Sequence, residues 1–182
     1  MSKIYEIENI EKIVLDTGVV YIKIKDVAEE VLLAPTRGGS TFTADREWRI
    51  IERDGARGKE KGLRRVVKEN AQLVVNLLDL SQDNLKYAFV GAKVGEGDGE
   101  ITSGGVGVID EDDYLEHVKW LGETLDGGTK EIYLYNCLHD EPIEIGTTDD
   151  DEVVLQLTFS AHHDPTDFDV DLYEIKEIDP TT

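Results

Sequence analysis

The densest run of side chains able to bind something is RIIERDGARGKEKGLRR, Arg49 to Arg65, where arginines and lysines alternate with glycines. Cations held on flexible backbone suit anions: a nucleotide phosphate, a nucleic-acid backbone, or carboxylates of another protein surface. A phosphate loop needs G-x-x-x-x-G-K-[ST] between a strand and a helix. Neither Gly58-Lys59 nor Lys61-Gly62 meets that spacing, and no helix start follows. The dinucleotide fingerprint fails too, because Gly55, Gly58 and Gly62 stand three and four residues apart. A solvated hairpin tip is the plain structural alternative for this stretch.

A second candidate is SAHHDPTDFDVD, where His162 or His163 with Asp164 could form part of a two-histidine, one-carboxylate metal site. His117 or His139 would supply the remaining ligand. Neighbouring residues on a strand point to opposite faces, so His162 and His163 cannot both reach one ion there. Asp164-Pro165-Thr166-Asp167 also reads naturally as a turn. The acidic runs EDD and TDDDE lack the ligand order and central glycine of a calcium loop. No serine sits in G-x-S-x-G, and no carboxylate pair stands out among the many acids, so the chain is expected to be no enzyme and to need no cofactor or metal. Cys137, the lone cysteine, lies in the apolar run EIYLYNCL and is expected to be a buried, inert thiol.

Charge sets the context for the basic run. The 182 residues carry a formal charge of -21, yet Arg37 to Lys68 hold ten Lys/Arg against five Asp/Glu, a local +5 that leaves -26 on the remainder. Such an acidic excess argues against general DNA affinity, since phosphate contacts supply most non-specific binding. No apolar run approaches the ~20 residues of a membrane helix, and the N-terminal stretch lacks the pattern of a signal peptide. With 40% apolar residues the chain can bury a full core, and its length suits one domain over 1–182.

The elements that must position these residues are mostly strands. VVYIKIK, EEVLLA and STFTADREWRIIE show β-branched or alternating patterns, the last through Phe42, Ala44, Arg46, Trp48 and Ile50. Arg46 interrupts an otherwise apolar face, which signals a bulge or an interface nearby. LRRVVKENAQLVVNLLDL has helical length but is rich in valine, and two long segments flanking a glycine-rich connection read best as a hairpin arm over about 46–66. LSQDNLKYAFVGA reads as a helix over about 81–90, with Ser81 as cap and Gly91 as stop. Residues 91–109 are glycine-rich and read as a flexible loop. Strands follow in DYLEHVKWLGE, KEIYLYNCL, EVVLQLTFSAHH and VDLYEIKEI. The expected fold is mainly β: an antiparallel β-sandwich or barrel with one flanking helix and a long extended arm.

The ordered series GGSTFTADREWRIIERDGARGKEKGLRRV, AQLVVNLLDLSQDNL, DYLEHVKWLGETLDGG, LTFSAHHDPTDFD and LYEI resembles the major tail tube proteins of long-tailed bacteriophages and related prophages, over roughly residues 36–176. Its most specific part is R-E-x-R-x-I-E-x-D-G-x-R-G from Arg46 to Gly58. The resemblance implies hexameric rings that stack into a hollow tail tube around a tape-measure protein. Such a tube meets a tail terminator at one end and distal tail or baseplate proteins at the other. It conducts double-stranded DNA during ejection. It implies a virion tail assembled in the bacterial host cytoplasm, with no membrane partner and no catalytic residues. In such proteins a long hairpin loop reaches the neighbouring ring. Here the loop's residues are Arg46, Arg49, Arg53, Asp54, Gly55, Arg57, Gly58, Lys59, Lys61, Gly62, Arg64 and Arg65.

Charge agrees with that expectation from its own side. Six copies at -21 would carry -126 per ring, so stacking has to overcome repulsion. A local basic segment meeting an acidic neighbour offsets it by short-range pairing, because longer-range repulsion is screened beyond ~8 Å in physiological salt. Acid facing the lumen would let DNA slide. Two other readings stay open: a tail adaptor that caps without polymerising, and an acidic β-domain binding a metal or ligand through His162, His163 and Asp164.

Overall fold

The computed structural model describes residues 12–15, 18–33, 35–55, 58–95, 99–147, 149, 151–167 and 170–180. The strands are β1 (Val19–Ile24), β2 (Val31–Leu33), β3 (Thr36–Ile50), β4 (Arg64–Leu77), β5 (Lys93–Val94), β6 (Ile101–Thr102), β7 (Leu115–Glu123), β8 (Thr129–His139), β9 (Leu155–Ala161) and β10 (Tyr173–Ile178). Seven of them run in the order β2-β1-β7-β8-β9-β4-β3, with β10 also on β8, and every pairing is antiparallel. The strand segments expected from alternation are all present, as is the mainly antiparallel β architecture.

One strand turns this sheet into two layers. On the edge away from β7, β8 carries β10 along Thr129–Leu134 and β9 along Cys137–His139. Between the two stretches sits Asn136, left-handed at φ 48°. Asparagine tolerates that conformation better than other non-glycine residues. Its carbonyl accepts the His162 N–H at 3.2 Å, while the Tyr135 N–H donates to Leu172. The sheet therefore forks at Asn136, and its two halves face each other. Val20, Ile22, Val118 and Leu134 from one half pack in a single cluster with Leu73, Val75, Leu157 and Phe159 from the other. Each is at most 1% exposed, and burying such a side chain stabilises by about 1.5–3 kcal/mol.

Two sequence expectations need correction. The helix expected over about 81–90 is a single turn, α1 (Gln82–Leu85), and the chain then turns up to Gly91. In a continued helix Tyr87 would lie about 200° around from Leu85. Leu85, Tyr87, Ala88 and Phe89 all pack towards the core, which one helix face cannot provide. The Ser81 side chain does not cap α1; its Oγ donates to Asp79 at 3.1 Å instead. The glycine-rich stretch also contains structure, because β5 and β6 pair through Lys93 with Thr102 and Val94 with Ile101. The bulge anticipated near Arg46 is present as a register shift between Glu47 and Trp48.

Glycines shape one end of the core. The Trp120 indole lies across Gly18 and Gly122, and a Cβ on either would stand 2.3 Å from a ring atom. Gly122→Ala is therefore expected to displace the indole and lower stability by roughly 1–3 kcal/mol, measurable as a drop in the thermal midpoint. Cys137 is fully buried, and burial pushes its thiol up to about 12. The native thiol is expected to resist a disulfide reagent at neutral pH and to react at once in denaturant; fast native labelling would contradict the described packing.

Candidate functional site: the β3–β4 arm

The arm arises because β3 and β4 outrun the sheet. Their ladder extends from Thr36 with Leu77 to Ile50 with Arg64, but β9 pairs with β4 only from Gln72 to Leu77. Burial along β4 follows the same boundary. Ala71, Leu73, Val75 and Leu77 are buried, whereas Arg64 to Lys68 are exposed on both faces. Beyond Arg46 and Glu69 the two strands form a ribbon with neither a third strand nor an opposing layer among the described residues, a form marginally stable by itself in water.

The ribbon's two faces differ. On β3, Phe42, Ala44, Arg46, Trp48 and Ile50 alternate along one face. Phe42 is still in the core, against Tyr173 at 5.3 Å between ring centroids. At the exit Arg46 pairs with Glu69 at 2.6 Å, its cross-strand partner. Further out, Trp48 opposite Val66 and Ile50 opposite Arg64 carry the apolar face into solvent, with Trp48 48% exposed. The Arg64 guanidinium lies 4.9 Å from the Trp48 ring centre. Ile51 and Val67 add to the exposed apolar surface.

The other face opens with Asp45 opposite Asn70 and Glu47 opposite Lys68 and turns cationic further out. Arg49 is the direct cross-strand partner of Arg65, an arrangement that costs stability when no anion intervenes. At the tip, Arg53 grips Glu60 with Nε at 2.8 Å and Nη2 at 3.1 Å, which closes the loop. Gly55 and Gly62 take φ of 82° and 88° in the tip turns, where L side chains are disfavoured.

Of the residues expected to form an inter-subunit arm, Arg46, Arg53 and Arg64 are thus engaged within the chain. Arg49, Asp54, Lys59, Lys61 and Arg65 have no ion-pair partner among the described residues. Gly58 lies in the tip, and Arg57 falls outside the described residues. The exposed apolar stripe of Trp48, Ile50 and Val66 was not among the expected site residues. Its signal was the alternation of β3, which continues unchanged past the point where the core ends.

The histidines do not converge. His139 is buried, with Nδ1 accepting the Thr158 N–H at 3.0 Å. His117 meets Glu30 at 3.0 Å, and the His162 ring packs edge-on to Tyr114. Asp164 to Asp167 form the turn read from sequence, with Asp164 Oδ1 accepting the Thr166 N–H at 2.7 Å. Among the described residues no three His, Cys, Asp or Glu side chains gather where they could hold a metal ion.

No protein-family model matches the chain, and no curated protein sequence matches it significantly. Solved structures do match its fold. A chain of the six-fold-symmetrised baseplate of the anti-feeding prophage superposes with a TM-score of 0.51 at 11% identity, over 92% of this chain and 95% of that one. Chains from the tail of an empty gene transfer agent particle, refined helically with C6 symmetry, and from a native gene transfer agent virion each give a TM-score of 0.45. Their identities are 8% and 9%, with 81% and 82% of this chain and 92% and 95% of theirs covered. At such identities the likeness to the baseplate chain is one of fold.

Proposed function

We propose that this chain is a structural subunit of a phage-type tail. It assembles into rings, and the rings stack into a hollow tube around a tape-measure protein, bounded by a tail terminator and by distal tail or baseplate proteins. The tube conducts double-stranded DNA on ejection. The observation that carries this reading is the arm: a ribbon leaving the core with an apolar face and a face that is cationic towards the tip, both uncovered among the described residues. Exposed apolar area rimmed by charge is the usual mark of an association surface. The fold shared with a chain of a six-fold baseplate supports the same reading, and the sequence series from residue 36 to 176 points to the tube subunit within that class. The chain is one domain acting through assembly, with no reaction assigned to it.

A second reading takes its support from that same match, since the matched chain comes from a baseplate. The subunit would then form a closed ring that terminates or adapts the tube without polymerising. Electron microscopy of negatively stained protein over a concentration series separates the two. Tubes that lengthen with concentration are expected. Rings that never stack would establish the adaptor reading, and a monomer at every concentration would overturn both.

A further inference from the structure

The arm lies at one end of β3 and β4, and the acidic connection from β8 to β9 runs from the register of Leu73, where β8 ends at His139 opposite Phe159, to the opposite end of those strands. There Leu77 pairs with both Thr36 and Leu155, and the connection from β8 to β9 ends at Leu155. Arg37, next to Thr36, fastens that connection through Asp151 and Glu152, each at 2.6 Å. Residues 140–152 contain seven Asp/Glu and no Lys/Arg. The connection runs beside the outward face of β4 and β9 and encloses an open groove of about 730 Å³. Val74, Asn76 and Gln156 lie on the strand side, and Glu141, Pro142 and Glu144 on the loop side. Glu141 and Glu144 have no ion-pair partner among the described residues.

Groove and arm match in chemistry. Arg49 and Arg65 sit opposite each other across a ladder, which sets their Cβ atoms about 4.5–5.5 Å apart, and each guanidinium can take a carboxylate with two parallel hydrogen bonds. Glu141 and Glu144 present two unpaired carboxylates on one short stretch. Pro142 and Val74 offer apolar contact to Ile51 at the arm tip. The strand face below presents amides, which neither repel cations nor demand burial.

We propose that the cationic face of the arm seats in this groove of a second copy, with Arg49 and Arg65 taking Glu141 and Glu144. The proposal rests on the tail-subunit reading and names the surface that receives the arm. The groove lies along the paired part of β4, from Gln72 at the base of the arm to Asn76, and arm and groove are different surfaces, so each copy can give its arm to one neighbour and receive one from another. A heterologous contact of that kind closes into a ring when its rotation closes and otherwise extends as an open stack. A nucleic-acid phosphate is the competing anion for Arg49 and Arg65, and the chain's charge of -21 disfavours it.

The test is a charge swap. R49E/R65E and E141K/E144K would be made separately and each confirmed as folded by circular dichroism. Both, with wild type, would then be followed by sedimentation and negative-stain microscopy at low salt. Each variant alone is expected to need about tenfold more protein for half-maximal stacking, and an equimolar mixture should return to within about threefold of wild type. The mixture can recover because every arm then finds a groove of opposite sign. Wild-type tubes with undiminished stacking by E141K/E144K would overturn the docking and leave the tail reading standing. Loss in both variants without recovery in the mixture would also overturn it. Retention of short duplex DNA by wild type but not by R49E/R65E, with E141K/E144K stacking normally, would assign the arm to phosphate instead. Wild-type protein that never stacks would overturn the tube reading and the docking together.

Discussion

The architecture depends on one strand being shared by two layers. β8 must satisfy β7 along one edge and, along the other, both β10 and β9, which leave it in different directions. An unbroken strand cannot follow both partners. The left-handed turn at Asn136 resolves the conflict, and the His162 N–H bonded to its carbonyl ties β9 to the fork. Everything apolar in the core follows from that geometry, because only a folded sheet brings Leu134 of one half against Phe159 of the other.

The arm is the reverse of this economy. β3 keeps the period-2 pattern that serves the core, but past Arg46 and Glu69 no described strand or layer covers it. Within the core the pattern buries Leu73 and half-buries Phe42; outside it presents Trp48 and Val66 to water. The ion pair of Arg46 with Glu69 marks the transition. It pairs two partly exposed charges on what is elsewhere an apolar face, where the core gives way to solvent. Further out, Arg64 over Trp48 and Arg53 with Glu60 hold the ribbon in shape, while Arg49 and Arg65 remain uncompensated. The arm is thus stiffened by some of its cations and left incomplete by others.

Charge is arranged along the strand direction rather than spread evenly. The basic tip of the arm and the Asp151 and Glu152 end of the β8–β9 connection lie at opposite ends of β3 and β4, with Arg37 the cation that anchors the acidic end. A subunit of that kind would attract its own likeness at short range if the arm seats as proposed. The excess of acid over base in composition alone suggests only mutual repulsion. Its distribution changes the conclusion.

Much of this was legible in the chain itself. β-Branched alternation located the strands, the glycines between charged residues located the arm tip, and Asp164-Pro165-Thr166-Asp167 announced its turn, because each of those signals is local. The helix was misjudged in length, since its amphipathic reading ignored that Tyr87 and Phe89 are both drawn inward, a demand made by the core and not by the segment. The exposed stripe on β3 was equally hidden: Trp48 and Phe42 occupy equivalent positions in the same pattern, and only the reach of β9 separates a core aromatic from an exposed one. The sequence by itself determined which residues form strands and where charge accumulates along the chain. The tertiary structure decided which apolar residues are covered, and where the acidic loop sits relative to the basic arm, because both depend on strand register between segments far apart in sequence.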